Sequence, residues 1–422
     1  MMRILWVKMG GLWPPTSGGR TRSLQIIKQL ARRHEVTVVT THAEGDDPAG
    51  LNDIVGSRDR IHSFAYQPPK RGSAAFPLSV ARSWLSRDPV DLWKWRVPEV
   101  RACVERLIAS RQVDVCVADF LFAVNSVPLT GPVPTVLFEH NVEYLIWKRL
   151  CDLERSPWRR ALLEIEWRKL RAREGAACRA ADLTIAVSAD DRNRLAALAP
   201  QSEITWIPTG VDTDYFAPNP DAERPYHIVF SGSMDWHPNE DAVQYFIADI
   251  LPRVRAAVPE ATFSIVGRNP RPHLVEAARA AGVTATGSLD DIRPSIAEAA
   301  LCVVPLRAGS GTRLKIFEAM AMGKAVVSTT LGAEGLTIES GTHYVAADGA
   351  DAFADAVIAL LRDRDRRRRI AASGRRLVEE QYSWAQITLP MERDLQATVE
   401  KHVVARTIAS RGTDLSPARS PR

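Results

Sequence analysis

Short apolar runs alternate with stretches of helical spacing, and this pattern occurs twice with a single break between. Runs too short for a helix and apolar on both faces read as strands of a buried parallel sheet. In the first half, strands are expected at 4–7, 36–40, 113–118, 135–138, 183–187 and 204–207, with a long helix at 157–180. Between the first two strands lie a turn-rich loop, 9–20, and a helix on which Leu24, Ile27, Leu30 and Ala31 recur at helical spacing. Residues 43–100 show no clean period and carry no detailed expectation. The break, TGVDTDYFAPNPDAERP at 209–225, is rich in Pro, Asp and Asn and reads as an interdomain linker.

After the break, strands are expected at 228–230, 262–266, 283–286, 301–305 and 325–328. Helices are expected at 239–257, 272–281, 292–299, 313–322, 350–362 and 365–380, the first with Asn239 as its N-cap. The expected class is therefore α/β, with two Rossmann-like, doubly wound parallel-sheet domains at 1–208 and 226–383. A helix at about 384–403 is expected to pack back on the first domain, with a disordered basic tail at 406–422. Ligands of such sheets bind outside the carboxyl ends of the strands, so two domains facing a cleft make a site for two substrates.

Bulk properties narrow the class. A net charge of +5 over 422 residues is a mild basic bias, and no compact basic module with interleaved aromatics signals nucleic acid. Five scattered cysteines form no zinc-spaced set and suit a reducing cytosol. No apolar run approaches the ~18 residues of a membrane helix, and the N-terminus does not read as a signal peptide.

The segment richest in chemistry is PLRAGSGTRLKIFEAMAMG at 305–323. A strand ends there, and a loop of small residues with Ser310, Gly311 and Thr312 leads into a helix. Backbone N–H groups at such a helix start favour an anion, usually phosphate. Arg313 and Lys315 add positive charge, and Glu318 follows one turn on, placed to accept from ribose hydroxyls. The alternative is a solvated helix face, but the ordered combination behind a buried strand favours function.

The run EAMAMGKAVVSTTLGAEGL resembles the signature of the retaining family 4 ("group 1") glycosyltransferases, as do ADLTIAVSADDRNRL at 181–195, WIPTGVDTDYF at 206–216 and HIVFSGSMDWHPNEDAVQYF at 227–246. The resemblance spans roughly residues 2–385 and implies a GT-B fold. It implies a donor site of Gly232, Ser233, Ser310, Gly311, Thr312, Arg313, Lys315 and Glu318, with Glu318 on the ribose. Two departures stand out. Ser310 occupies the place of the family's first Glu, and Ser233 and Met234 follow Gly232 where an Arg is usual. Arg313 and Lys315 are expected to supply the missing charge.

In the first half, Gly18 and Gly19 match the family's cleft-facing glycine loop, although position alone leaves a simple turn equally open. Arg20 and Arg22 read either as phosphate contacts or as exposed helix-start residues. His140, in the FEHN run at a strand end, is expected near the acceptor or the transferred sugar, with Glu139 and Glu143 as weaker candidates. Asp212-Thr213-Asp214 has the look of a metal–diphosphate motif, yet it sits in a linker, and the resemblance implies no metal. The helix at 157–180 reads as packed on its domain with a solvated basic face, a face that also suits peripheral contact with an anionic membrane.

These features imply a hexosyltransferase-like enzyme that moves a sugar from a nucleotide diphosphate-sugar to a glycan or lipid-linked hydroxyl, with retention and without a cofactor. The setting implied is cytoplasmic polysaccharide or cell-envelope assembly. The rivals are a nucleotide-sugar epimerase on the same fold and a non-catalytic nucleotide-sugar-binding partner subunit.

Overall fold

The computed structural model describes residues 1–15, 17–46, 48–69, 75–154, 156–234, 236–308 and 314–413. It divides into two compact units: Met1–Pro208 with Thr388–Arg422, and Thr209–Ile387.

The first unit holds seven parallel strands: β1 (Arg3–Lys8), β2 (Glu35–His42), β3 (Ile61–Ala65), β4 (Val115–Asp119), β5 (Thr135–Phe138), β6 (Leu183–Ala186) and β7 (Ile204–Trp206). They lie in the order β3-β2-β1-β4-β5-β6-β7. Every residue of β4, β5 and β6 is buried, as both faces of a parallel sheet require. The strand order reverses between β1 and β4, so a crevice opens there at the carboxyl edge. Within 43–100, where the sequence had no period, stand β3 and the helices Ala75–Trp84 and Pro98–Ala109.

The helix Trp384–Thr413 runs further than the expected 403. Residues 406–413 are helical rather than the start of a disordered tail. Arg406 donates to the Pro132 carbonyl at 2.5 Å and Thr407 to that of Val403 at 2.9 Å, which gives this turn partners the composition did not suggest. The rest of the expected tail, 414–422, lies outside the described residues. Further back, the helix is tied to the first unit by Glu392 to Arg33 and His34, Asp394 to Thr205 and Lys401 to Glu203.

The second unit holds six parallel strands: β8 (His227–Ser231), β9 (Thr262–Val266), β10 (Thr284–Ala285), β11 (Leu301–Val304), β12 (Ala325–Ser328) and β13 (Val345–Ala346). Their order, β10-β9-β8-β11-β12-β13, again reverses beside the first strand of the unit, between β8 and β11. The helix expected over 239–257 is interrupted. It runs His237–Tyr245, widens into a π-turn at Phe246–Ile250 and resumes at Leu251–Ala257. Pro252 has no N–H to give the turn before it, and the widened turn accommodates that loss. Residues 209–211 join this unit through Val211, whose N–H donates to the Tyr382 carbonyl at 2.8 Å.

Candidate functional site

In the second unit, the loops after β8 and β9 run side by side. The Gly232 N–H donates to the Val266 carbonyl and the Met234 N–H to that of Arg268, both at 2.9 Å. Gly267 packs directly on Gly232: a methyl there would be driven into the Gly232 carbonyl oxygen, and its φ of +146° suits only glycine.

Lys315, on the helix Leu314–Ala321, reaches the same place. Its Nζ lies 2.7 Å from where a Cβ of Gly232 would stand and 4.0 Å from the centre of the Phe230 ring. It donates to Asn239 Oδ1 at 2.7 Å. Buried Asn239 donates in turn to the Ser233 carbonyl at 2.8 Å. Of the expected donor residues, Gly232, Ser233 and Lys315 thus come together. Glu318 follows Lys315 on the same helix, half-buried; burial pushes its carboxyl up to about 7, against the pull of Lys315. Ser310, Gly311, Thr312 and Arg313 lie outside the described residues.

In the first unit, a second cluster sits at the β1–β4 reversal. Lys8 ends β1 and is registered with Asp119, which ends β4 and is itself registered with Phe138 of β5. Lys8, Asp119 and His140 are all buried. Lys8 Nζ stands 3.3 Å from Asp119 Oδ2, to which the Trp6 indole N–H also donates at 2.8 Å. His140 Nε2 lies 2.8 Å from Asp119 Oδ1. Burial alone would raise the Asp119 carboxyl, but Lys8 and His140 hold it well below the usual range. Burial pushes Lys8 down to about 8, against Asp119. It pushes His140 down to about 3, again against Asp119 and aided by Lys8 and Arg22. His140 is therefore a neutral imidazole at physiological pH.

Phe120 caps this cluster. Its ring stacks on His140 with centroids 3.8 Å apart, and Lys8 Nζ lies 4.1 Å from its centre. To do so its backbone adopts φ 71° and ψ 153°, a region that is nearly glycine-only and costs about 1–3 kcal/mol. Gly19 completes the packing: a methyl there would stand 2.8 Å from Phe120 Cζ and 3.8 Å from His140 Nδ1. Gly18 faces open space.

Other expectations resolve differently. Arg20 donates to the Gly10 and Pro14 carbonyls and pairs with Asp46, so it holds the 10–15 loop and is not an exposed helix-start residue. Arg22 is half-buried within electrostatic reach of Asp119 and Asp191, and desolvation pushes it down to about 10. Glu143 begins the helix Glu143–Leu153; its N–H and that of Tyr144 donate to Glu174, at 2.7 and 3.1 Å. Burial, with Glu174 and Glu143 nearby, raises the buried Glu139 carboxyl well above its ordinary value. Asp212 closes a turn, accepting from the Tyr215 N–H at 3.0 Å. Among the described residues no group of three or more His, Cys, Asp or Glu is placed to hold a metal ion. Nor is any described helix long and apolar enough to cross a membrane.

Among the charged residues at these two places, Lys8, Asp119 and Arg268 escaped the sequence. The first two end apolar strands and become partners only through the β1–β4 register. Arg268 follows the Gly that comes after β9, and a Gly-Arg pair in a loop carries no signal alone.

The description "Glycosyltransferase Family 4" matches residues 16–215, and "Glycosyl transferases group 1" matches 225–363. The chain is 32% identical over 230 residues to the GDP-mannose-dependent alpha-(1-6)-phosphatidylinositol monomannoside mannosyltransferase of Mycobacterium tuberculosis. That match covers 48% of this chain and spans 58% of the relative's length. The Mycolicibacterium smegmatis protein of the same description is 27% identical over 369 residues, covering 79% of this chain and 90% of its own. Among solved structures, sucrose-phosphate synthase from Thermosynechococcus elongatus superposes with a TM-score of 0.65 at 18% identity, covering 94% of this chain and 99% of that one. Anabaena HepE in complex with UDP-glucose gives 0.62 at 17%, covering 94% and 100%. The fold class is GT-B.

Proposed function

The chain belongs to the group 1 and family 4 glycosyltransferases, and on that premise we propose that it transfers a sugar, with retention, from a nucleotide diphosphate-sugar to a hydroxyl of a lipid-linked glycan or glycolipid. The observation that carries this is the convergence of Lys315, Asn239 and the Gly232–Ser233 backbone at the strand-order reversal of the second unit. A cation fixed there before the reaction stabilises the charge that develops on a leaving diphosphate, at little reorganisation cost. Arg313 adds charge at the same helix entrance, and Glu318 accepts from the ribose hydroxyls. The mannosyltransferase relatives make GDP-mannose the first donor to try.

The first unit presents the acceptor. His140, neutral and buried against Asp119, is too weakly basic to deprotonate the acceptor hydroxyl efficiently. The leaving phosphate takes that proton, and transfer needs no resident metal. On the helix Pro157–Ala180, Trp158 is 63% and Ile165 48% exposed, among the exposed cations Arg159, Arg160, Arg168 and Arg171. This face rests on the anionic cytoplasmic surface where a lipid-linked acceptor is held. Flotation with phosphatidylglycerol vesicles tests it: a Trp158→Ala, Ile165→Ser variant that still co-floats would count against this placement.

The donor reading is tested by thermal unfolding with GDP, UDP, ADP and their sugars, with and without EDTA, on wild type and Glu318→Ala. A ligand at 100 times its Kd should add about 2.7 kcal/mol. Stabilisation by one nucleotide class, insensitive to EDTA and weakened in the variant, is expected. Sugar release without acceptor would favour an epimerase, and tight binding without turnover a non-catalytic partner.

A further inference from the structure

The loops that follow β8 and β9 bring a second cation to the place Lys315 occupies. Ser231 of β8 is registered with Val266 of β9, and the bonds from Gly232 and Met234 carry this pairing beyond the strands. Arg268 therefore lies directly across from Ser233 and Met234. Because Gly267 packs on the Gly232 backbone, the Arg268 backbone has little freedom to drift. Its side chain is exposed, yet it is not simply solvated: Nε donates to Ser233 Oγ at 2.9 Å. Ser233 thus steers a guanidinium to the residue next to Gly232, where Lys315 Nζ arrives from the other side of the strand-order reversal.

Two cations of different kinds meet at one short stretch of backbone. An ammonium acts as a point charge, whereas a guanidinium offers parallel N–H donors matched to two oxygens of one phosphate. With Nε turned to the serine, the Nη edge carries the recognition. A diphosphate has the charge and the oxygen count to engage both cations at once.

We infer that Arg268 is a donor-binding residue, held by Ser233, whose guanidinium engages the diphosphate of the nucleotide-sugar alongside Lys315. Ser233 is its positioning residue. The inference rests on the donor-site reading above, and one experiment separates the two. Calorimetry first finds which of GDP, UDP and ADP binds wild type. That diphosphate and its parent nucleoside are then compared on wild type, Arg268→Ala, Ser233→Ala and the double variant, with nucleoside affinity read by saturation-transfer NMR.

Arg268→Ala should weaken the diphosphate by about ten- to hundredfold, the range of hydrogen bonds to charged groups, and leave the nucleoside unchanged. Ser233→Ala should weaken the diphosphate by a smaller factor, and the two losses should not add, because the serine acts through the arginine. Unchanged diphosphate affinity in Arg268→Ala overturns the inference, and so does an equal loss for the nucleoside. If wild type binds none of the three diphosphates, the donor-site reading itself fails and the inference falls with it.

Discussion

Replacing His140 with glutamine should flatten the acid side of the first unit's stability profile. His140 is buried between the Phe120 ring and Asp119, and Asp119 is already paired with Lys8. Protonating the imidazole would place a second cation beside one buried carboxylate, so burial holds it down to about 3. The unfolded chain protonates this residue near its ordinary value of 6.5. Between those two values the unfolded state binds a proton that the folded state does not, so stability is lost as pH falls through this window. The slope is about 1.4 kcal/mol per pH unit, or about 2 kcal/mol between pH ~6.5 and ~5. A glutamine amide cannot titrate and loses none of this.

Urea unfolding of wild type and His140→Gln at pH ~7.5 and ~5, followed by tryptophan fluorescence, measures the difference. Of the eleven tryptophans only Trp236 and Trp384 lie in the second unit, so the signal reports mainly on the first. The variant should be less stable at the higher pH, having lost the ring stack, and should recover about 2 kcal/mol relative to wild type at the lower. Equal losses on acidification in both proteins, or a His140 resonance titrating near 6.5, would refute the reasoning.

Three further outcomes are expected. Glu318 keeps its proton up to about 7 in the fold, so the unligated second unit should lose stability as pH rises from the ordinary 4.5 through about 7, a loss that Glu318→Gln abolishes in calorimetric melts. In the same window the nucleotide affinity of wild type should rise, because a carboxylate is the better acceptor for ribose hydroxyls, while that of Glu318→Gln stays flat. Gly267→Ala should destabilise the second unit by more than about 3 kcal/mol, since neither the Gly232 backbone nor the φ of +146° can yield cheaply; near-wild-type melting would mean the two loops part more easily than their bonds indicate.

The strands of both sheets were legible where they are buried on both faces. Residues 135–138 and 301–304 are buried throughout and almost wholly apolar, and parallel strands in a sheet interior leave that trace. β3 and β13 were missed for the opposite reason. They are edge strands whose residues are partly exposed, and β13 is only two residues long, so neither writes a period. The charged cluster of the second unit was half legible: Lys315 and Glu318 share one helix and can be read from spacing, whereas Arg268 joins Ser233 only through the β8–β9 pairing. Lys8 and Asp119 are 111 residues apart and meet solely because β1 and β4 are neighbours. At His140 the sequence pointed to a strand end near the acceptor or the transferred sugar, but not to Asp119 as its partner or to its charge state, which depend on burial and on a carboxylate from another strand.

The first unit is built from two pieces of chain, residues 1–208 and the helix segment from Thr388 onward, with the whole second unit threaded between them. A ribosome delivers these pieces far apart in time. At roughly 5–20 residues per second, the stretch between them takes about 10–40 s to synthesise. During that interval Arg33, His34 and Thr205 have no Glu392 or Asp394 to meet, while the second unit is already a continuous stretch able to close on itself. The nascent first unit should therefore be the better chaperone client of the two, and fragments cut near residue 387 should yield a folded second unit more readily than a folded first one.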